Sequence, residues 1–191
     1  MVGVDGGKAF TTNSCLGRQW RAAGGPRALY VNSGYNPDNL SKTTSDCRDL
    51  AAKLSATDAE RNAYAIGCGE AVYSLGATRD AGVADPLMWW IDVESSNSWD
   101  EVDLNLNRFA LQGQIDQLAA LGRPVGVYST FKDWLFVTGA WAPPAIVGDW
   151  VAGLSPTAAC TEPGFSGAPV WLAQEAATWG DRSGLDSDWS C

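Results

Sequence analysis

The chain has 191 residues, 46% of them hydrophobic and 18% charged, with 21 glycines, which fits a single globular domain with one core and many short connections. Its formal charge of −9 comes from 13 basic and 22 acidic residues, and no segment gathers Lys and Arg into a stripe, which argues against a nucleic-acid partner. Histidine is absent, which removes Ser-His and Cys-His catalysis and denies a zinc site its usual imidazole, so no metal or cofactor is expected and acid–base work falls to carboxylates. No run approaches the roughly 20 apolar residues of a membrane span, so no membrane partner is expected. The opening MVGVDGGKAF lacks the basic-then-apolar order of a signal peptide.

In chain order, VGVDG (2–6) reads as a strand, a helical pattern covers 13–24, and RALYVNS (27–33) reads as a second strand. The polar stretch from 34 to 56, which holds Cys47, is expected to be a long loop over one rim. A helix over about 57–82 opens on a capping box of Thr57 with Glu60. LMWWIDVE (87–94) is the third strand, and a helix over 99–121 follows. Ser98 with Glu101 reads as its capping box, Leu104, Leu111, Ile115 and Leu118 share one face, and Gly122 stops it. Then come PVGVYST (124–130), a short helix near 131–138, AIVGDWVAG (145–153), PVWLAQEA (169–176) and GLDSDWS (184–190). Strands alternating with helices predict parallel β-α units, whose strands are covered on both faces and so read as nearly continuous apolar runs. No GxGxxG or P-loop follows the first strand, which counts against an open nucleotide-binding sheet. Polar residues collect at the strands' C-terminal ends, namely Asn32, Asp92, Glu94, Tyr128, Gln174 and Asp186, as they do in a closed barrel. The expected fold is α/β, a TIM-type (β/α) barrel with seven of its eight strands present.

Chemistry concentrates in PLMWWIDVESSNSWDE (86–101). Side chains alternate along a strand, so Asp92 and Glu94 share a face, their Cα atoms roughly 6.5 to 7 Å apart, while Trp89, Ile91 and Val93 face the other way. If that face is the barrel interior, both carboxyl groups stand at its mouth over an apolar floor, where desolvation and mutual repulsion raise one pKa and keep a proton available for general acid catalysis. An acidic residue at a strand end is usually a loop-facing charge or a helix cap, but Ser98 already supplies a cap here. Of the ten tryptophans, Trp20 and Trp89 belong to the core, whereas Trp90, Trp134, Trp150 and Trp171 are candidate platforms for the C–H faces of sugar rings. Tyr128 either offers its hydroxyl to a substrate or packs against a neighbouring strand, and the Gln174 amide requires a partner, a ligand or an Asp. The five cysteines are widely spaced without a CxxC pair, so disulfides are expected, with one cysteine left over.

WWIDVE, PVGVYST with Trp134 after it, DWVAG, VWLAQ and the terminal GLDSDWSC follow the order seen in family 25 glycoside hydrolases, the lysozyme-type muramidases. The sequence resembles most the cysteine-bearing, lysozyme-like branch of actinobacteria, over nearly the whole chain and most weakly from 34 to 86. The resemblance implies a barrel that cleaves the β-1,4 bond between N-acetylmuramic acid and N-acetylglucosamine in peptidoglycan. It makes Glu94 the general acid, Asp92 the carboxylate that orients the substrate's N-acetyl group or stabilises the transition state, and Asp186 the acidic residue of the last strand. Tyr128 and Gln174 match cleft positions, and Trp150 matches an aromatic of the family's sixth strand. VGVDGG matches the family's second strand, so the first strand, with its active-site Asp, is expected to be missing, and Asp5 is a poor substitute for that residue. The implied disulfides are Cys160 with Cys191 and Cys47 with Cys68, leaving Cys15. The resulting expectation is a monomer, secreted or cell-wall associated, that acts on peptidoglycan or a related glycan, with hydrolysis reduced or absent relative to a chain carrying that strand. The alternatives are a non-catalytic glycan-binding barrel or inactive truncated pseudoenzyme, and a doubly wound enzyme of another kind, against which the missing phosphate loop and absent His count.

Overall fold

The computed structural model describes residues 1–175 and 186–191. All seven strand candidates form strands: β1 (Val2–Gly3), β2 (Leu29–Asn32), β3 (Trp89–Asp92), β4 (Val125–Ser129), β5 (Ile146–Ala152), β6 (Val170–Glu175) and β7 (Ser187–Ser190). Ala176 and residues 184–185, at the ends of the last two candidates, lie outside the described residues. The strands make one sheet in sequence order, and β1 to β6 are parallel. Against the parallel expectation, β7 pairs antiparallel with β6. A parallel return needs a crossover of about a dozen residues or more, and only residues 176–186 join these two strands.

The sheet is curled. Met1, ahead of β1, and Asp188, on β7, line the same cavity, so the two edges of the sheet face each other, while the strand order leaves β1 and β7 unbonded. The architecture is a mixed α/β fold with an incomplete barrel-like sheet.

Helices cover the outer face: α1 (Leu16–Ala22), α2 (Ser45–Ala51), α3 (Asp58–Asp80), α4 (Leu104–Ala119), α5 (Phe131–Thr138) and the short α6 (Pro156–Ala159). The expected long loop from 34 to 56 is instead largely helical, with a 3₁₀ turn at Pro37–Lys42 followed by α2. Polarity misleads there because only Cys47 and Ala51 of α2 are buried. The capping box of Thr57 with Glu60 opens α3 as predicted. The one predicted for α4 does not form: its cap is Asp103, whose side chain accepts from the Asn105 N–H. The preceding residues are held by Asp100, which accepts from the N–H groups of Val102 and Asp103 at 2.9 and 2.7 Å.

The main core lies between sheet and helices, where Val31, Trp89, Ile91 and Val127 meet Leu111, Ile115 and Leu118 of α4 and Leu16 and Trp20 of α1. Helices α3 and α4 touch backbone to backbone: a Cβ on Gly67 would overlap the Ala110 carbonyl oxygen, and one on Gly113 that of Tyr64.

The disulfides Cys47–Cys68 and Cys160–Cys191 pair as the resemblance implies, closing separations of 21 and 31 residues, and Cys15 is free. Arg18, hydrogen-bonded to the Cys15 sulfur, lowers that thiol's pKa below its ordinary value. Alkylation of the unreduced protein is therefore expected to modify Cys15 alone, as read by peptide mass spectrometry, and modification at any other cysteine would contradict the pairing.

Candidate active site

The parallel registers place Asn32 beside Asp92, Asp92 beside Tyr128, and Tyr128 beside Trp150, while β6 and β7 bring Gln174 beside Asp188. These residues surround the concave side of the sheet. A cavity of about 420 Å³ is lined there by Asp92, Glu94, Tyr128, Trp150 and Gln174, with Tyr30, Asp186 and Asp188. Its floor is a layer of alternating sizes, in which Gly3, Tyr30, Trp90 and Gly126 sit side by side across four strands. A Cβ on Gly3 would lie 2.7 Å from the Tyr30 ring, and one on Gly126 would overlap the Trp90 ring, so these glycines make room for the aromatic floor.

Hydrogen bonds join the polar layer above it. The Asn32 side-chain amide donates to Asp92 Oδ2 at 2.7 Å, and the Asn32 backbone N–H donates to Asp5 Oδ2 at 2.7 Å. The Gly7 N–H donates to the other Asp5 oxygen at 2.9 Å. Across the cavity, the Tyr128 hydroxyl donates to Gln174 Oε1 at 2.7 Å, which supplies the partner that an amide in a parallel strand requires. Glu94 is set by the loop after β3: its carbonyl accepts from Trp99 Nε1 at 2.7 Å and the Asn97 N–H at 3.1 Å, and Ser96 Oγ donates to its carboxylate at 3.1 Å.

Burial pushes the Asp92 pKa from 3.8 up to about 8, helped by the charges of Glu94 and Asp5 and opposed by the Asn32 hydrogen bond. Asp92 is only 7% exposed, and its Oδ1 has no partner among the described residues. Burial also lifts Asp5 to about 6, against the N–H bonds from Asn32 and Gly7. The Tyr128 hydroxyl is pushed up as well, first by burial and then by the carboxylates around it. Burial thus makes the recessed Asp92, next to Glu94, hold its proton to much higher pH than an ordinary carboxyl.

The chain is similar to lysozyme-like protein 3 of Caenorhabditis elegans, with 28% identity over 103 residues, which is 46% of this chain and 34% of the relative. The similarity is to a lysozyme-like protein. The chain spans about a third of that relative's length. No family model matches the chain, and no solved structure matches it.

Of the residues singled out in the sequence, Asp92, Glu94, Tyr128, Trp150, Gln174 and Asp186 line one cavity, and Asn32 bonds Asp92 at its edge. Trp90 is buried beneath the cavity, packed edge-on against Trp150 with ring centroids 5.8 Å apart. Trp134 lies elsewhere: it is buried in the outer core, stacked on Trp141 and next to Phe165, so it offers no face to a ligand in this cavity. Trp171 is half-exposed but does not line it. Asp188, Tyr30 and the second-row Asp5 were not among the candidates. Asp188 is two residues from Asp186, a period-two signal of a shared strand face, and Asp5 follows β1 by the same spacing from Gly3.

The elevated Asp92 pKa has a consequence for stability. A carboxyl whose pKa is higher in the folded state binds more protons there, so its penalty is absent below pH ~4, where both states are protonated, and grows as pH rises to about 8. Asp92→Asn is expected to melt progressively higher than the parent chain as pH is raised from 4 to 8. A melting-temperature gap that stays constant over that range would show that Asp92 is ionised in the folded protein.

Proposed function

We propose that the protein is a lysozyme-type glycoside hydrolase of family 25, built on a TIM-type barrel and acting on peptidoglycan or a related glycan. Glu94 serves as general acid and Asp92 as its partner. The observation that carries this reading is the recessed Asp92, whose pKa burial raises, beside a part-exposed Glu94 in a cavity walled by Tyr128, Trp150 and Gln174. The similarity to a lysozyme-like protein supports it, as do the two disulfides, which suit an extracellular protein.

Hydrolysis of a glycosidic bond requires a proton on the leaving oxygen while positive charge develops on the sugar. An acetamido N–H placed on the partnerless Asp92 Oδ1 favours the Asp92 anion. Glu94, at the cavity mouth, gives a proton to the glycosidic oxygen as the bond to the anomeric carbon breaks, and water adds to that carbon and returns a proton to Glu94. Asp92, now ionised, stands where it steadies the charged ring, and Asp186 and Asp188 add negative potential on the far wall. Trp150, largely buried against Trp90 and Tyr128, adds apolar wall beneath the sugar. None of these steps requires a cofactor.

Incubation of the protein with peptidoglycan, followed by mass spectrometry of the released fragments, tests the reading. Reducing N-acetylmuramic acid ends are expected, even at a low rate, and fragments with only N-acetylglucosamine at the reducing end would point to cleavage of the other bond. A second reading, glycan binding without turnover, is favoured by the edges of β1 and β7, which are not bonded to each other, so the barrel-like sheet does not close there. Binding retained in Glu94→Gln with no release from either protein would establish it.

A further inference from the structure

A second cavity, of about 260 Å³, lies between the loops that follow β1, β2 and β3. It adjoins the first at Glu94, because Ser96, which donates to the Glu94 carboxylate, also lines it. Pockets that enclose whole drug-sized ligands run to ~300–1,000 Å³, so this one suits a substituent and not a chain of sugars. Its walls are held firmly: the Tyr35 N–H donates to the Ser98 carbonyl at 2.7 Å, pinning the second loop to the third, and the Asn97 N–H is tied to Glu94.

Its chemistry is opposite to that of the first cavity. The lining includes one charged residue, Lys8, and no carboxylate, in a chain of net charge −9 whose main cavity carries Asp92, Glu94, Asp186 and Asp188. Asn36 and Asn39 contribute amides. Two polar atoms of its lining residues, Asn97 Nδ2 and Ser33 Oγ, are buried without a hydrogen-bond partner among the described residues, a costly state that an acceptor in the cavity relieves at Asn97. An ammonium group, side-chain amides and the partnerless Asn97 N–H, with no carboxylate in the lining itself, describe a receptor for a carboxylate.

We propose that this cavity binds a carboxylate carried by the glycan, the acid group of an acidic sugar or the end of a peptide attached to it, while the neighbouring rings lie over Asp92 and Glu94. The proposal rests on the glycan reading above and deepens it: the acidic first cavity repels such a group, and the second receives it. Charge thereby sets which sugar faces Glu94.

Calorimetry in the non-hydrolysing Glu94→Gln background tests this with three ligands of equal length: a neutral β-1,4 N-acetylglucosamine oligomer, bare strands alternating N-acetylglucosamine with N-acetylmuramic acid, and the same strands bearing peptides. Acidic strands are expected to bind about tenfold more tightly than the neutral oligomer. Lys8→Ala is expected to erase that ratio and leave the neutral oligomer unaffected, and Lys8→Arg to retain it. A gain by bare strands assigns the site to the sugar's own acid, and a gain confined to peptide-bearing strands assigns it to the peptide. Equal affinity for acidic and neutral ligands, or an equal loss for both in Lys8→Ala, overturns the proposal. If no glycan binds, the glycan reading fails separately, and N-acetylalanine decides the cavity: a shift of the Asn97 side-chain amide in the NMR spectrum supports a carboxylate site, and its absence overturns one.

Discussion

Glu94→Gln is expected to lower the release of reducing ends from peptidoglycan by ~10²- to 10⁴-fold, the range over which a positioned general acid contributes. The substitution keeps the shape of the side chain and leaves an oxygen for Ser96 Oγ to bond, and the bonds that fix the local backbone reach the Glu94 carbonyl and not its carboxylate. Stability should therefore change by no more than about 0.5 kcal/mol, typical of a surface replacement. The loss should fall on kcat, since the proton is transferred in the transition state and glutamine still fills the site. Asp92→Asn should also slow release, but with the opposite accompaniment of higher stability near pH 8, because it replaces a carboxyl that burial holds protonated. Release by Glu94→Gln at the parent rate would remove Glu94 from the chemistry altogether.

Gly67→Ala is expected to destabilise the fold by about 3 kcal/mol or more, the upper end of what overpacking costs in a close-packed interior. The new methyl would occupy the position of the Ala110 carbonyl oxygen on α4, and backbone cannot swing aside as a flexible side chain can. Gly113→Ala, facing the Tyr64 carbonyl from the other helix, should behave alike. Gly76 provides the control within the same helix: a Cβ there meets only the Arg79 side chain at 3.9 Å, so Gly76→Ala should stabilise by about 1 kcal/mol through helix propensity. Thermal melts should thus move in opposite directions, by roughly −6 to −12 °C for Gly67→Ala and +2 to +4 °C for Gly76→Ala. Similar melting temperatures for the two variants would mean that the helices do not meet at Gly67.

Much of this organisation was legible in the sequence because buried parallel strands leave an unmistakable mark. WWID of β3 is apolar on both faces until the sheet ends, and its alternation alone separates Trp89 and Ile91, which enter the outer core, from Trp90 and Asp92, which face the concave side. The same alternation brought Tyr128 and Gln174 to that side, although only the three-dimensional pairing reveals that they bond each other. Local patterns were less reliable where tertiary contacts compete. Ser98 and Glu101 carry the spacing of a capping box, but the Ser98 carbonyl is engaged by Tyr35 and the turn is organised by Asp100, so α4 begins later. Trp134 read as a possible platform because indole suits a sugar and a core equally, and nothing in the sequence foretold that Trp141 and Phe165 would enclose it. The elevated pKa of Asp92, and the part that Asp5 and Asn32 play in it, depends on burial and on bonds between β1, β2 and β3 that no spacing encodes.

The central claim is that burial raises the Asp92 pKa far enough for the free protein to keep a proton there near neutral pH, and that a bound glycan draws that proton off. Carbon-detected NMR titration of the Asp92 carboxyl, free and saturated with an N-acetylglucosamine oligomer, measures this directly. The predicted result is an apparent pKa near 8 in the free protein that falls when the glycan binds. An Asp92 carboxyl that titrates near its ordinary value of 3.8, or one that does not respond to glycan, would contradict it.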